Sequence, residues 1–288
     1  MNNLPKISIL MNCFNGEEYL RDALDSAIQQ SYDDWELIFY NNASYDDSKK
    51  IFLSYKDDRL KYFERNTNVG IVFARNEALC HAKGEWIAIL DVDDIWSKSK
   101  LEEQIKALKS INSQKPIVVF SNCEVITKDK TLKLDQENSK EKLFEKLLSF
   151  DISIPWSSVL ISRDLLTEFN GFDTKFPNAH DLDFLLKSAR NYNFVHLTQR
   201  LVSVRYHSNS LTSANKDEDG QYYKEILSVL EQYSDNESAI IGSTKIKVSY
   251  LMLLLRKLEV LKFFKYISSF TFSELRYFPR IFLKRFFN

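Results

Sequence analysis

Glycine is scarce in this 288-residue chain, which has six, and proline (five) and cysteine (three) are scarcer still. With so few glycines, we expect Asn, Asp and Ser to form the turns. Cys13, Cys80 and Cys123 are odd in number and lack metal-ligand spacing. We therefore expect no disulfide framework and no zinc site, but small buried thiols in a reducing cytosol.

Glycine-rich phosphate loops are missing. Gly16 is the single glycine after the first predicted strand, so the chain has no GxGxxG, and GxxxxGK[ST] occurs nowhere. Both patterns let backbone N–H groups surround phosphates, and their absence disfavours a dinucleotide-dependent dehydrogenase and a P-loop ATPase. A nucleotide would have to be held another way, and a metal ion is the obvious route.

Long hydrophobic runs are also missing. The longest candidate, residues 248–255, is far shorter than the roughly 20 apolar residues that span a bilayer. The N-terminus lacks a basic segment followed by an apolar stretch and a cleavage site. The sequence thus predicts a cytoplasmic protein without a spanning helix, and leaves peripheral attachment to the inner face of the plasma membrane open.

Excess charge of one sign is absent from the whole chain, since 39 basic and 40 acidic residues give a net charge of −1. This composition excludes a disordered chain and a highly basic nucleic-acid binder, so we expect no nucleic-acid partner. Residues 244–288, however, carry a net charge of +8 and 11 of the 39 aromatic residues, and the rest carries −9. The asymmetry indicates a first domain over residues 1–215 and a helical, basic and aromatic extension over residues 216–288.

Two interpretations of the extension stay open. Helices that alternate apolar residues with spaced Lys and Arg lie on anionic membranes. Such helices also cap a domain or contact the partner in a homodimer. Phe282, Phe286 and Phe287 lie at the extreme end, where burial is difficult, and slightly favour the membrane.

Strands and helices alternate over the first 120 residues. The predicted strands are residues 7–11, 35–40, 60–64, 86–90 and 117–121. Of the predicted helices, the first follows residue 16, the second ends at residue 52, and the other two cover 72–82 and 98–110. Gly84 follows the third helix and is predicted to be its C′ residue. Further strands are expected at 124–127, 158–162 and 201–206, with helices at 140–150, 181–192 and from 221 onward. This order predicts an α/β fold with a mostly parallel sheet covered on both faces.

Ligands of open parallel sheets bind beyond the carboxyl ends of the strands. The residues there are polar: Asn12-Cys13-Phe14-Asn15, Asn41-Asn42-Ala43-Ser44 and Asp91-Val92-Asp93-Asp94. The three carboxylates suit Mg²⁺ or Mn²⁺, which prefer oxygen ligands and often share them with substrate phosphates. Taken alone, they could equally form an acidic turn that caps the next helix.

The ordered motifs of the chain resemble those of family 2 glycosyltransferases with the GT-A fold, of the bacterial glycan-assembly type. The resemblance covers roughly residues 5–212 and rests on ISILMNCFNGEEYLRDALDSAIQQSYDDWELIFYNNAS, NVGIVFARNEALCHAKGEWIAILDVDDIW, GFDTKFPNAHDLDFLLKSA and VRYHSNSLT. It implies that residues 1–215 form one Rossmann-like nucleotide-binding catalytic domain with a mixed, mostly parallel sheet.

The resemblance also implies residue roles. The implied nucleotide-sugar contacts are Asn12, Phe14 and Asn15 around the base and ribose, Asn42 at the base, Arg75 near the diphosphate, Asp91 and His207. The implied ligands of Mn²⁺ or Mg²⁺ are Asp91 and Asp93 of the DxD motif, with Asp93 in direct contact, and His207. Asp181 is the implied general base.

Several alternatives remain at these positions. The family usually has an acidic residue where Asn41-Asn42 stands, and Asn keeps an acceptor, loses the charge and adds a donor. The departure leaves the base and the affinity open. Without the resemblance, Asp181 reads as a helix cap, Asp183 as structural, and His180 and His196 as surface or packing residues.

The function that follows from the resemblance is an inverting glycosyltransferase of the hexosyl or N-acetylhexosaminyl type. It would move a sugar from a nucleoside-diphosphate donor, UDP favoured over dTDP, to a hydroxyl of a glycan or lipid-linked acceptor by metal-assisted single displacement. Because of Asn41-Asn42, the alternative is a catalytically weakened nucleotide-sugar-binding homologue that acts as a scaffold at a membrane surface.

Overall fold

A computed structural model describes residues 6–111, 116–135, 142–207, 220–256, 262 and 266–286. The strands are β1 Ile7–Cys13, β2 Trp35–Asn42, β3 Leu60–Arg65, β4 Trp86–Ile89, β5 Ile95–Trp96, β6 Ile117–Ile126, β7 Thr131–Leu134, β8 Leu160–Ser162 and β9 Asn193–Arg205. The helices are α1 Leu20–Ile28, α2 Ser48–Leu53, α3 Ile71–His81, α4 Lys100–Lys109, α5 Leu143–Leu148, α6 Arg163–Glu168, α7 His180–Asn191, α8 Gln221–Glu231, α9 Glu237–Arg256, α10 Phe272–Leu275 and α11 Phe278–Phe286.

The strands of the described residues form one mixed sheet in the order β3-β2-β1-β4-β8-β6-β9-β5, with β7 paired to β6. The half formed by β3, β2, β1 and β4 is entirely parallel. In the other half, β8 runs antiparallel between β4 and β6, and β9 is parallel to β6. The carboxyl ends of β1, β2 and β4 therefore meet at one edge, as the sequence predicts.

Hydrophobic residues are buried on both faces of the sheet. One core contains residues of α3, α5, α7 and α8, and the other contains residues of α1, α2 and α4. All eight residues of β2 are buried, as expected for a parallel strand between two helical layers.

Non-glycine residues form most of the left-handed turns. Among the described residues, positive φ angles occur at Asn15 (53°), Ala43 (64°), Lys142 (57°), Phe150 (54°) and Asn170 (54°). Asn15 and Asn170 confirm the prediction that asparagine replaces glycine in loops, because its short polar side chain tolerates this conformation. Ala43, Lys142 and Phe150 were not foreseen.

The prediction that Gly84 is a helix C′ residue is wrong. The residue after α3, Ala82, has extended angles (φ −69°, ψ 138°). Gly84 instead lies against β1, where a Cβ atom would come within 2.4 Å of the Ser8 backbone nitrogen. Its N–H donates to the Ser8 hydroxyl at 2.7 Å, so close approach explains the glycine.

The second half of the sheet differs in detail from the prediction. The pieces expected at 117–121 and 124–127 form one ten-residue strand, β6, whose pairing with β9 is irregular around Asn122. The strand expected at 201–206 is the end of the thirteen-residue β9. Cys80 is exposed, whereas Cys13 and Cys123 are buried as predicted, and all three thiols are free.

The C-terminal helices begin as part of the core. Ile226, Val229 and Leu230 of α8 belong to the core that covers α7, and α9 contacts both α5 and α8. Gly242 of α9 lies so close to α5 that a Cβ would meet the Leu148 carbonyl oxygen at 1.9 Å. The domain boundary predicted at 215/216 lies outside the described residues, as do residues 208–212 of the VRYHSNSLT motif. No helix within the described ranges is long and apolar enough to cross a bilayer.

Candidate active site

Side chains from three neighbouring strand ends lie on the same face of the sheet. Alternation places Asn12, Asn42 and Asp91 on the side of Leu10, Tyr40 and Ile89, which belong to the core under α3. Arg75 extends from α3 on that side. Residues 16 to 79 positions apart in the chain thus meet above the carboxyl ends of β1, β2 and β4.

Asn12 carries a buried amide that makes no hydrogen bond. Both Oδ1 and Nδ2 are buried and lack a partner among the residues that the structure describes. An unsatisfied buried polar group costs about 1–3 kcal/mol, which is usually recovered from water or a ligand. The side chain is thus a candidate ligand contact at the end of β1.

The amide oxygen of Asn15 and both ends of the Asn42 amide already have hydrogen-bond partners. Asn15 Oδ1 accepts from the Tyr45 N–H at 3.0 Å and fixes the loop after β1 to the loop after β2. Asn42 Oδ1 accepts from the Val69 N–H at 3.2 Å, and its Nδ2 donates to Asn68 Oδ1 at 3.3 Å. Both residues therefore shape the rim by holding loops together.

Phe14 lies at this rim with about half of its surface exposed (47%). Its ring meets the more exposed ring of Tyr45 edge-on, with 6.0 Å between the centroids. The two rings form an aromatic wall beside Asn12.

Arg75 connects three elements of the site. Its Nη2 donates to Asp91 Oδ1 at 2.6 Å, and its Nη1 contacts Nε2 of His180 at the start of α7. Burial lowers the pKa of His180 well below its ordinary value, and the Arg75 charge lowers it further. The imidazole is therefore neutral and accepts from the guanidinium through Nε2. Arg75 Nε has no partner within the described ranges.

Hydrogen bonds to Ser157 fix the Asp91–Asp94 turn. The Ser157 hydroxyl donates to Asp94 Oδ2 at 2.5 Å and accepts from the Asp91 N–H at 3.1 Å. The other Asp94 oxygen accepts from the Arg205 N–H at 3.0 Å. Burial raises the pKa of Asp94 well above its usual value. Asp94 is thus a buried structural acid, and Asp91 and Asp93 are the carboxylates that face the rim.

Asp93 and His207 meet although they are 114 residues apart. His207 Nε2 lies 3.0 Å from Asp93 Oδ2, and its ring lies 4.7 Å from the Tyr19 ring. Arg205 reinforces the contact, because its Nε donates to the Asp93 carbonyl at 3.1 Å and its guanidinium stacks 4.5 Å from Tyr19.

The predicted metal ligands come together only in part. Among the described residues, no three His, Cys, Asp or Glu side chains converge in a metal-binding cluster. Asp93 and His207 form a carboxylate–imidazole pair, whereas Asp91 is ion-paired with Arg75. Two protein donors suit a cation that takes its remaining ligands from substrate phosphates.

Asp181 lies in the first turn of α7, and its Oδ1 accepts the Leu182 N–H at 2.8 Å. Burial raises the pKa of Asp181, and the charge of Arg75 opposes this rise. Partial burial raises the pKa of Asp91, the charge of Arg75 opposes this rise, and the charges of Asp93 and Asp181 add to it. Asp183 lies elsewhere and pairs with Lys187 at 2.7 Å, which fits the structural role predicted for it.

Three contributors were missed or misread in the sequence. His180 was expected to be a packing residue, but it contacts Arg75. Ser157 and Arg205, which hold the acidic turn, were not singled out. Arg205 had one available signal, since it ends β9 two residues before His207. His196 is a packing residue as expected, and its ring stacks on Phe120 with 4.7 Å between the centroids.

Residues 8–166 match the family model for glycosyl transferase family 2, which is more than half of the chain. The chain belongs to this family. The uncharacterized glycosyltransferase RT0329 of Rickettsia typhi is 29% identical over 277 residues, which cover 94% of this chain and 86% of that protein. The Escherichia coli UDP-Glc:alpha-D-GlcNAc-diphosphoundecaprenol beta-1,3-glucosyltransferase WfgD is 29% identical over 213 residues, which cover 73% of this chain and 80% of WfgD.

Solved structures show that this family 2 glycosyltransferase has the GT-A fold, which confirms the predicted fold class. S. aureus TarS 1–349 in complex with UDP-GlcNAc aligns with a TM-score of 0.65 at 20% identity, over 85% of this chain and 71% of that one. The mannosyltransferase PcManGT of Pyrobaculum calidifontis, in complex with GDP-Man and Mn²⁺, aligns with a TM-score of 0.62 at 15% identity, over 97% and 80%.

Proposed function

We propose that this enzyme transfers a sugar from a nucleoside-diphosphate donor to a hydroxyl of a glycan or lipid-linked acceptor, with inversion at the anomeric carbon. The observation that carries the proposal is the convergence of Asp181, Arg75 and Asp91 on the sheet face where the Asn12 amide is buried and has no partner among the described residues. One cation (Arg75) and two carboxylates, of which Asp181 would be the base, suit a reaction that expels a diphosphate.

The donor in this proposal carries UDP, in preference to dTDP. The Asn12 amide has one free donor and one free acceptor, which complement the C=O and N–H groups of a uracil edge. The Phe14 ring would flank the base, while Asn15 and Asn42 shape its pocket through the loops they hold. The UDP-sugar named as the donor of WfgD and the UDP-GlcNAc bound to TarS support this choice.

A divalent cation, Mn²⁺ or Mg²⁺, would be held by Asp93 and His207, with Asp91 beside it. When bound, it would supply positive charge that stabilises the departing diphosphate. Arg75 would contribute a second positive charge from the other side of Asp91. The Mn²⁺ bound in the PcManGT complex supports the choice of cation.

Asp181 would act as the general base. An acceptor hydroxyl has a high pKa, so a carboxylate within hydrogen-bonding reach must take its proton as the oxygen attacks the anomeric carbon. The C–O bond to the diphosphate breaks on the opposite face of the sugar, and nucleoside diphosphate leaves. Burial raises the pKa of Asp181, which makes the carboxylate a stronger base than an exposed one.

The test is donor turnover by purified protein, measured with UDP-, dTDP- and GDP-sugars in Mn²⁺ and again after chelation. Metal-dependent turnover of a UDP-sugar that Asp181→Asn abolishes, while donor binding in a thermal-shift assay persists, is the expected result. Metal-dependent binding without turnover of any donor would favour the membrane-surface scaffold. Normal transfer by Asp181→Asn would show that the base assignment is wrong.

A further inference from the structure

The last described segment exposes apolar and basic side chains that remain accessible among the residues that the structure describes. Phe272 has 93% of its surface exposed and Leu275 has 50%, and Arg276 and Arg280 are exposed beside them. These residues follow one another at steps of one, three and four positions across α10 and α11. Arg276 between the helices keeps helical angles (φ −60°, ψ −36°), and residues three or four positions apart on a helix are neighbours on its surface. With Ile267 (40% exposed), they form what we call the docking face.

The opposite side of the same segment is packed against the protein. Phe270, Phe278 and Phe282 form a ring cluster, with centroid distances of 5.0 Å and 5.3 Å, and Lys247 of α9 lies 5.4 Å from the Phe270 ring. Phe282, expected at a membrane, therefore points inward, because it lies four residues after Phe278 on one helix face. The side chain of Phe286 and the whole of Phe287 lie outside the part of the chain that the structure describes. Phe272 is the most exposed aromatic residue among the described residues of this segment.

Negative charge is nearly absent from this segment. Glu274 is the one acid among the described residues from 262 to 286, and it is buried in an ion pair with Lys247 at 2.8 Å and a capping box with Thr271. Two acids approach from other elements. Glu237 accepts from the Tyr277 hydroxyl. Asp151 pairs with Lys245 and lies near Lys284 at the far end of α11; burial raises the pKa of Asp151, but these hydrogen bonds and charges lower it overall. Arg276 and Arg280 thus dominate the charge of the docking face.

We propose that the docking face binds the surface of an anionic phospholipid bilayer. Exposed Phe and Leu beside arginines match what an interfacial helix inserts and what anionic headgroups attract. A second copy of the chain fits less well, because a two-fold contact would set the arginines of one protomer against those of the other. Nucleic acid would engage the arginines and leave Phe272 and Leu275 without an apolar partner.

A series of contacting tyrosine rings, edge-on or tilted to one another, lies between the docking face and the active site. Tyr222 and Tyr223 of α8, Tyr250 of α9 and Tyr266 lie in sequence, with centroid distances of 5.6, 5.0 and 4.6 Å. Burial and the nearby Asp181 carboxylate raise the pKa of Tyr222 to about 12. The chain of rings runs from the candidate base to the residue before Ile267. A bilayer on the docking face would therefore be held in a fixed relation to Asp181.

The proposal is tested on the full chain by co-sedimentation with vesicles of phosphatidylcholine containing 30% phosphatidylglycerol, and with pure phosphatidylcholine vesicles. We expect binding to the anionic vesicles only, and a loss of binding as NaCl screens the charges. Arg276→Gln and Arg280→Gln should each lower the partition coefficient about fivefold. Phe272→Ser with Leu275→Ser should lower it at least tenfold.

Matched controls come from other surfaces of the chain. Leu53→Ser removes a leucine that is 48% exposed on α2, and Lys128→Gln with Lys130→Gln removes two exposed charges. Neither should change vesicle binding. The melting temperature and the donor turnover of every variant are measured without vesicles, so that misfolding and failure of the proposed activity are each seen separately.

Four results would overturn the proposal. The first is equal binding to both kinds of vesicle, or none to either. The second is a partition coefficient of Phe272→Ser/Leu275→Ser equal to that of the wild type.

The third is a dimer, seen by light scattering, that the same two substitutions dissociate. The fourth is binding of duplex DNA that competes with the vesicles and that the two substitutions weaken to the same extent. Either result would assign the docking face to another partner.

Discussion

The guanidinium of Arg75 donates to Asp91 at 2.6 Å and is itself almost fully buried, while the Asp91 side chain keeps 38% of its surface exposed. The ion pair thus has a buried cation and an anion at the rim of the site. Arg75 fixes the first carboxylate of the DxD motif and places a positive charge beside the expected position of the diphosphate.

Arg75→Met should weaken both the fold and donor binding. Removing one partner of a buried ion pair costs about 3–5 kcal/mol, and the exposure of Asp91 reduces this to about 1–3 kcal/mol. We expect a lower melting temperature and a donor KM raised at least tenfold. Arg190→Met, an exposed arginine on α7, is the control and should change neither. A donor KM equal to that of the wild type would contradict the placement of Arg75.

His180 should act on the donor through Arg75. His180→Leu removes the acceptor at Nε2, whereas His180→Gln offers an amide oxygen in its place. We expect His180→Leu to raise the donor KM about tenfold with a smaller change in kcat, and His180→Gln to restore most of the affinity. If both variants lose stability equally and neither changes KM at a temperature where they are folded, the histidine only fills space.

The rate of transfer should fall with acid at a pH above the ordinary range of an aspartate. Burial raises the pKa of Asp181 from 3.8, and the base works only when ionised. As the pH falls through the raised pKa, Asp181 takes up a proton and kcat declines. A profile of kcat from pH 4 to 8 at saturating donor and metal measures this. A kcat that stays constant down to pH 4 would contradict the assignment.

Asp93→Asn should raise the metal concentration needed for half-maximal activity by at least tenfold. The substitution removes the charge of the residue that faces His207 at 3.0 Å, and a neutral amide is a weaker ligand of a hard cation. Titration of activity with Mn²⁺ measures the effect, and UDP binding without metal should stay unchanged. Asp33→Asn, at an 89% exposed side chain, is the matched control. An unchanged metal requirement would remove Asp93 from the site.

Lys100→Met should change how stability depends on pH. Lys100 is fully buried on α4, its amine donates to Gln104 Oε1 at 2.8 Å, and burial lowers its pKa well below 10.5. The Lys100 amine therefore binds a proton more tightly in the unfolded chain than in the folded one. As the pH falls below about 10.4, the free energy of unfolding of the wild type decreases, until the pH reaches the lower pKa of the folded state. Relative to the wild type, the methionine variant should gain stability as the pH falls from 9 to 6 in denaturant titrations. Lys106→Met, exposed on the same helix, should show no such trend.

Local patterns were sufficient to predict much of the fold. The parallel strands β1 to β4, the helices between them and the polar strand ends all follow from periodicity, because each element buries one face and parallel strands end at one edge. The sequence predicts β6 and β9 to be shorter than they are in the structure. Their residues pair across about 80 positions of sequence, and a long-range partner extended both strands beyond the local signal.

The motifs by themselves identified the family, the acidic turn and the candidate base, because the spacing of chemically distinctive residues can be recognised in the sequence alone. The contacts of these residues arose only in three dimensions. His180 touches Arg75 across 105 positions, His207 reaches Asp93 across 114, and Asn42 is occupied by a loop while Asn12 is not.

The scarcity of glycine also shows which features the sequence determines and which the tertiary structure determines. Composition required other residues to form the left-handed turns, and packing selected Ala43, Lys142 and Phe150 as well as asparagine. Likewise, composition concentrated basic and aromatic residues at the C-terminus, and helix packing turned Phe282 inward and Phe272 outward. Sequence determines which groups are available, and only the folded chain, by burying some of them, determines which remain free to bind.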